Sequence, residues 1–385
     1  MNIPHNLMRL LSFLLCICTF VSCGKENRSV QQASNYVISD NISNQQVTSF
    51  TEDDKGYIWV GTAHGLNRFN GYEYRQYMRN INNNFSISGN SINSMLVDSK
   101  KRFWVATENG ISLQKEDGAF HTIPIEKRDY PPTDISETKN GDIIINLRSH
   151  LCKYNPESNK FEIFYRYNEY NFLNKFHVDS NNRLWIITVH SIKCFDYSTM
   201  QLVKQFDVHK HVNLFYSYLL NDKIYVIHGK GNLKIIDINT LEVLPVPEKI
   251  VRHSVLSQAL ITMIYLYQDG KILINTHKNG LYIYDDSIDM VYHQTDPEFP
   301  FSAPTEEITS LFLDRHDNLW MGTFTHNLKV IYKYSQQFNT NHILQGVVKN
   351  QSVISLACDN KGNIWVATRS DNLYTVSYTH LTLPT

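Results

Sequence analysis

The chain has no excess of charge of either sign: 36 Lys and Arg stand against 37 Asp and Glu, a net charge of −1. Its basic residues are scattered and form no large block, which argues against nucleic acid and anionic membrane surfaces as partners. It is short of cysteine pairs. Beyond the N-terminal segment only Cys152, Cys194 and Cys358 remain, an odd number with no two close in sequence. Buried free thiols are expected, and no disulfide framework holds the fold. It also lacks an apolar run of bilayer-spanning length. Arg9 is followed by the apolar stretch Leu10 to Val21, short of the roughly 20 residues a membrane-crossing helix needs. Residues 1–23 therefore read as a cleaved secretory signal. A nucleophile elbow, a Gly-rich phosphate loop and a paired metal-ligand motif are all missing. No enzyme, metal or cofactor is implied by any motif.

What is present is repetition. All five tryptophans occupy one motif: Trp59, Trp104, Trp185, Trp320 and Trp365, each with an aspartate six residues earlier (Asp53, Asp98, Asp179, Asp314, Asp359). The gaps between them are 45, 81, 135 and 45 residues, near multiples of one period. Degenerate copies fill the long gaps, with Ile144, Tyr225 and Leu273 in the Trp slot, making eight copies in all. Threonine stands three residues after the slot in six of the eight (Thr62, Thr107, Thr188, Thr276, Thr323, Thr368). A period of this length marks a repeat architecture.

Each copy reads as four short strands, rich in β-branched and aromatic residues. In the first copy they are Val47 to Thr51, the Trp-slot strand, Gly65 to Phe69 and Tyr72 to Tyr77. An Asp/Lys/Asn/Gly turn joins the first two, because Asp side chains fold back on such turns. The slot strand is apolar on both faces, so the sheet must be covered on both sides. A small residue follows the Trp by two positions in four of the five Trp copies (Gly61, Ala106, Gly322, Ala367). A neighbouring sheet can come close there. One such sheet cannot bury two apolar faces alone, whereas sheets stacked radially cover one another. The expectation is an all-β β-propeller of seven four-stranded blades plus the start of an eighth repeat. A linear β-solenoid is the runner-up; its coils are shorter and lack the Asp-turn-aromatic hairpin.

The pattern Ile-x-Ser-x-x-x-Asp, Gly-x-Ile-Trp-Val-Gly-Thr, Gly-Leu-x-x-Phe-Asn resembles the two-component regulator propeller repeat. The first copy, Val47 to Tyr77, is nearly a consensus match. That resemblance implies the extracytoplasmic, periplasmic sensor of a Bacteroidetes-type hybrid two-component histidine kinase. Such a sensor answers a glycan or other small ligand, is a homodimer at full length, and is tethered to the inner membrane. It also implies a domain plan: linker and ring-closing strand at 24–46, propeller at 47–345, and an eighth repeat opening a second propeller at 346–376. The segment near Tyr36 would donate the outer strand of blade seven. Residues 377–385 break the repeat in mid-blade and read as a non-native tail, so the chain is expected to be a fragment that lacks the kinase. The Phe20-Val21-Ser22-Cys23-Gly24 stretch resembles a lipoprotein cleavage site, with Cys23 as the lipidated residue. The alternative function is a secreted or lipid-anchored scaffold that binds glycans or proteins without signalling. A propeller lyase or hydrolase would need clustered acid/base groups, which the sequence does not show.

The five aspartates read as turn formers. The loops after the slot strand carry His64, His150, His190, His228, His277 and His326, with Glu108, Arg148, Lys230, Lys278 and Arg369 beside them. These loops share one face of a propeller, so His64, Glu108, Arg148, His190, Lys230, His277, His326 and Arg369 are the candidate ligand-binding residues. The histidine offsets from the slot vary, which argues against a shared metal site. Tyr72, Tyr74, Tyr77, Tyr282 and Tyr284 are suited either to stacking on sugars or to packing between blades.

Overall fold

The computed structural model describes residues 36–39, 41–167, 173–188, 190–208, 215–304, 307–333, 353–359, 364–369 and 373–376. The expected signal, Cys23 and the 377–385 tail lie outside them. The chain divides into two compact units, Met1–Lys333 and Tyr334–Thr385.

The first unit holds seven four-stranded antiparallel sheets. In blade 1 the strands are Val47–Glu52, Ile58–Thr62, Gly65–Phe69 and Tyr74–Tyr77, each hydrogen-bonded to the next. Blades 2 to 6 repeat this order. Blade 7 takes Ile308–Leu313, Leu319–Thr323 and Leu328–Ile331 from its own repeat, and its fourth strand is Tyr36–Ser39, running antiparallel to Leu328–Ile331. The resemblance had implied this exchange. The described first strands run one residue past the sequence reading, to Glu52 in blade 1, and the fourth begins at Tyr74 rather than Tyr72.

The core of this unit lies between blades. Seven buried apolar clusters each draw on two neighbouring sheets. Trp59 and Leu66 of blade 1 meet Ile92, Phe103 and Phe120 of blade 2. Trp104 meets Ile143, Ile145 and Phe161 of blade 3. The seventh cluster joins Trp320, Leu328 and Val330 of blade 7 to Val47, Ile58 and Val60 of blade 1, closing the ring. Thr309 Oγ1 also donates to the Val47 carbonyl at 2.6 Å, and Arg315 N–H to Glu52 Oε2 at 2.8 Å. The slot strands of blades 1, 2 and 7 are buried at every position, as expected for sheets covered on both sides.

Small residues after the tryptophans sit where neighbours press in. A Cβ at Gly61 would lie 2.6 Å from Ile92 Cγ2 of blade 2, and one at Gly322 would lie 2.6 Å from Val47 Cγ1 of blade 1. The aspartates are indeed turn formers, and they also reach the indole. Asp98 Oδ1 accepts the backbone N–H groups of Lys100 and Arg102, while Oδ2 accepts Trp104 Nε1–H at 2.8 Å. Asp53, Asp179 and Asp314 make the same three bonds to their own turns and to Trp59, Trp185 and Trp320. Each carboxylate thus joins the turn to the ring that fills the interface. Cys152 and Cys194 are buried and free, as expected, and burial pushes both thiols up to about 12. The Cys358 side chain is outside the described set.

The second unit is described as one three-stranded sheet, Val353–Cys358, Ile364–Thr368 and Leu373–Val376. Its Asp359–Trp365 bond is present at 3.1 Å. Yet Trp365 is 37% exposed and Ile354, Leu356 and Leu373 are exposed too.

Two outcomes follow from these contacts. Asp98→Ala leaves the buried Trp104 indole N–H without its acceptor and should cost about 2–4 kcal/mol in denaturant unfolding; a change below about 0.5 kcal/mol would contradict the clamp. Gly322→Ala should cost about 1–3 kcal/mol through overpacking against Val47, and a neutral effect in the same assay would show that the two blades separate easily.

Candidate functional site

The turns between second and third strands, together with the connections between blades, make one face of the ring. Threonine organises these turns. The Thr62 hydroxyl donates to the Gly65 carbonyl at 2.8 Å and accepts the His64 N–H. Thr107, Thr188, Thr276 and Thr323 close their turns onto Gly110, Ser191, Gly280 and Asn327 in the same way. The recurring threonine is therefore a turn clamp. His64, His190 and His326 are exposed on this face, as is Lys230. They belong to blades 1, 4, 7 and 5 and do not meet. Arg369 is exposed in the second unit.

Two of the histidines are not loop residues. His150 opens the third strand of blade 3 and is buried, with Nε2 against the Lys127 carbonyl at 3.0 Å and Nδ1 against Ser149 Oγ at 2.8 Å. His228 ends the second strand of blade 5 and is also buried. The offset from the slot strand, read without register, misplaced both. Glu108 also differs from expectation. Its carboxylate accepts the N–H groups of Asn90 and Ser91 at 3.1 and 2.8 Å, holding the connection from blade 1 to blade 2. Arg148 sits at a φ of +70° with its guanidinium 5.9 Å from the Tyr130 ring. Glu108 and Arg148 line one open cleft of about 470 Å³ with Tyr130 and Thr133. Tyr282 and Tyr284 are buried in the interface of blades 5 and 6, where Tyr282 also borders a cleft, whereas Tyr72 is 95% exposed.

A larger cleft, about 710 Å³, opens on the same face over blades 6 and 7, and it contains His277. The turn His277-Lys278-Asn279 lies between the strands Ile272–Thr276 and Gly280–Asp285. Lys278 is exposed at a φ of +75°. His277 Nδ1 lies 3.1 Å from Glu307 Oε1, in the connection leading to blade 7. A carboxylate only accepts, so Nδ1 carries the proton.

The opposite wall comes from two segments the sequence reading did not single out. A short helix, α1 (Glu248–Val251), leads from blade 5 toward blade 6. His253 follows it, and its Nδ1 accepts the N–H groups of Val255 and Leu256, both at 3.3 Å. The proton of this imidazole is thereby fixed on Nε2. Burial, and then the neighbouring His293, push His253 below the usual imidazole range. Its ring stands edge-on to Tyr282 at 5.3 Å, and Tyr282 packs on His293 at 4.7 Å. His293 ends the fourth strand of blade 6, with Nε2 on the Asn279 carbonyl at 3.1 Å and Nδ1 on Thr295 Oγ1 at 2.7 Å. Gln294 accepts the Leu281 N–H through Oε1 at 2.8 Å, which leaves its amide –NH2 without a protein partner among the described residues. The composition of the connections was the only sequence signal for these residues, and it does not distinguish a wall from a linker. Among the described residues no group of three or more His, Cys, Asp or Glu could hold a metal ion.

Four segments, 41–64, 86–109, 302–325 and 348–370, match the family described as two component regulator propeller. They fall on the repeats of Trp59, Trp104, Trp320 and Trp365. No curated protein matches the chain. Among solved structures, the extracellular domain of the hybrid two component system BT3049 of B. thetaiotaomicron aligns with a TM-score of 0.61 at 20% identity, over 88% of this chain and 47% of that one. The extracellular domain of the hybrid two component system BT4673 of the same organism aligns at 0.58 and 18% identity, over 88% of this chain and 45% of that one. Virginiamycin B lyase from Staphylococcus aureus aligns at 0.59 and 15% identity, over 77% of this chain and 97% of that one. The chain thus spans about half the length of the two sensor structures it matches. At these identities the structural likeness establishes the fold. The four matched segments cover four of the repeats, and the ring of seven four-stranded blades is a β-propeller.

Proposed function

We propose that this propeller is the extracytoplasmic, ligand-sensing part of a hybrid two-component histidine kinase that answers a glycan or oligosaccharide. The observation that carries the reading is a coincidence. Matched repeats make three of the seven blades, the fold aligns with two extracellular sensor domains, and one face of the ring holds an open cleft of about 710 Å³ lined by amides and imidazoles. Polar planar groups around a shallow cleft suit hydroxyl-rich ligands. In this reading the propeller binds and does not transform its ligand, and His277 is the sequence-derived candidate that lines the cleft. The eighth repeat opens a second propeller. A kinase beyond the membrane, working as a homodimer, receives the signal. Attachment to the membrane comes through a transmembrane helix or a lipid on Cys23; no helix among the described residues is long and apolar enough to cross a membrane. Binding can signal only if the ligand has different affinities for two arrangements of the dimer.

A titration of the full chain against plant and host oligosaccharides is expected to show saturable binding to at least one, with the oligosaccharide recovered intact. Gln294→Ala and His253→Ala should each weaken that binding about tenfold, the loss of one hydrogen bond to a bound polar group. Release of a cleaved product, or an absence of binding across the panel, would overturn the reading.

A further inference from the structure

The interface of blades 5 and 6 holds an opening of about 240 Å³ at the end away from the loop face. Its lining takes in Asn221 and Gly270, from the first turns of the two blades, and Asp286, just past the third strand of blade 6. Two departures from the repeat coincide here. The Trp slot of blade 5 holds Tyr225, with Leu219 rather than an aspartate six residues earlier. The fourth strand of blade 5 has two residues, Val243–Leu244, where those of the other six blades have four to seven. Across blade 5 the row from slot to rim is Tyr225, Ile235 and Leu244, paired in register. Ile274 of blade 6 lines the other side. The charged members of the lining, Lys223 and Asp286, have opposite signs.

In the first unit each tryptophan touches another aromatic ring: Trp59 meets Phe103, Trp104 meets Tyr154, Trp185 meets Phe206 and Trp320 meets Phe50. Tyr225 and Tyr284, the two aromatic residues that line the opening, touch no aromatic ring among the described residues. Tyr225 is only 6% exposed, and its hydroxyl makes no hydrogen bond among the described residues. Burial, and then Asp286, push that hydroxyl above the usual phenol range. It therefore stays protonated and can both donate and accept. Tyr284, by contrast, donates to Asp286 Oδ1 at 3.0 Å. A buried hydroxyl without a partner carries a desolvation cost that a bound polar group can relieve. Aromatic pairs gain energy beyond the area they bury. Apolar walls penalise a charged occupant, and an apolar cavity of about 150 Å³ is enough for benzene. We infer that this opening takes an uncharged aromatic molecule of one or two rings, with a hydrogen-bonding substituent that meets the Tyr225 hydroxyl. The site shares no residue with the cleft over blades 6 and 7 and does not depend on the sensor reading.

The test titrates the full chain with phenol, toluene, cyclohexanol and benzoate, followed by ligand-observed NMR. Phenol is expected to bind saturably and more tightly than the other three. Tyr225→Phe should weaken phenol about fivefold, the loss of one hydrogen bond, and leave toluene unchanged. Ile235→Phe should abolish binding of both by filling the space. Leu244→Phe, nearer the rim and only partly buried, should do the same and keeps the test open should Ile235→Phe not fold; thermal unfolding of each variant separates lost binding from lost fold. The inference is overturned if no aromatic molecule binds, if cyclohexanol or benzoate binds as tightly as phenol, or if folded Ile235→Phe or Leu244→Phe binds phenol as the unaltered chain does.

Discussion

The structure depends on one constraint: a four-stranded sheet that is apolar on both faces has no core of its own. All seven buried clusters of the first unit straddle two blades. Burial at roughly 25 cal/mol per Å² of apolar surface is therefore gained only when blades meet, and fully gained only when the last meets the first. The aspartate clamp, by contrast, forms within one repeat, in the second unit as in the first.

From that constraint follows a division of labour between the two ends of each blade. At one end the aspartate turns set the indoles, and side chains such as Arg315 and Glu52 tie neighbouring turns together. At the other end threonine closes the second turn by a single hydroxyl. The residues beyond it differ from blade to blade: Glu108 holds the connection between blades 1 and 2, whereas His64 and His190 are exposed. Function can be carried on such loops for the reason that loops on rigid scaffolds generally carry it: substitution there leaves the packing intact.

The fold was legible because its signals are local and repeated. An aspartate six residues before a tryptophan, a small residue two after it and a threonine three after it each describe a contact that recurs from blade to blade. Even the ring-closing strand near Tyr36 followed from the resemblance. The candidate site was legible only in part. His277 was named, and it lines the cleft of about 710 Å³ on the loop face. His150 and His228 were placed in loops but are buried, because whether a histidine falls just before or just after the end of a strand is a matter of one or two residues of register. Glu108 is occupied by the backbone of the preceding connection, a bond that spans 17 residues and that no spacing rule anticipates.

The sequence by itself determined that this chain is a set of β-units with sticky faces and a common turn chemistry, since those properties reside within a single repeat. Only the tertiary structure decided that seven units close, that a strand from before the first repeat completes the last blade, and that His253, His277, His293 and Glu307 surround one opening. Those four residues come from three connections and the end of a strand. Their proximity is set by how two blades lean together, and that geometry is a property of the packed ring rather than of any stretch of chain.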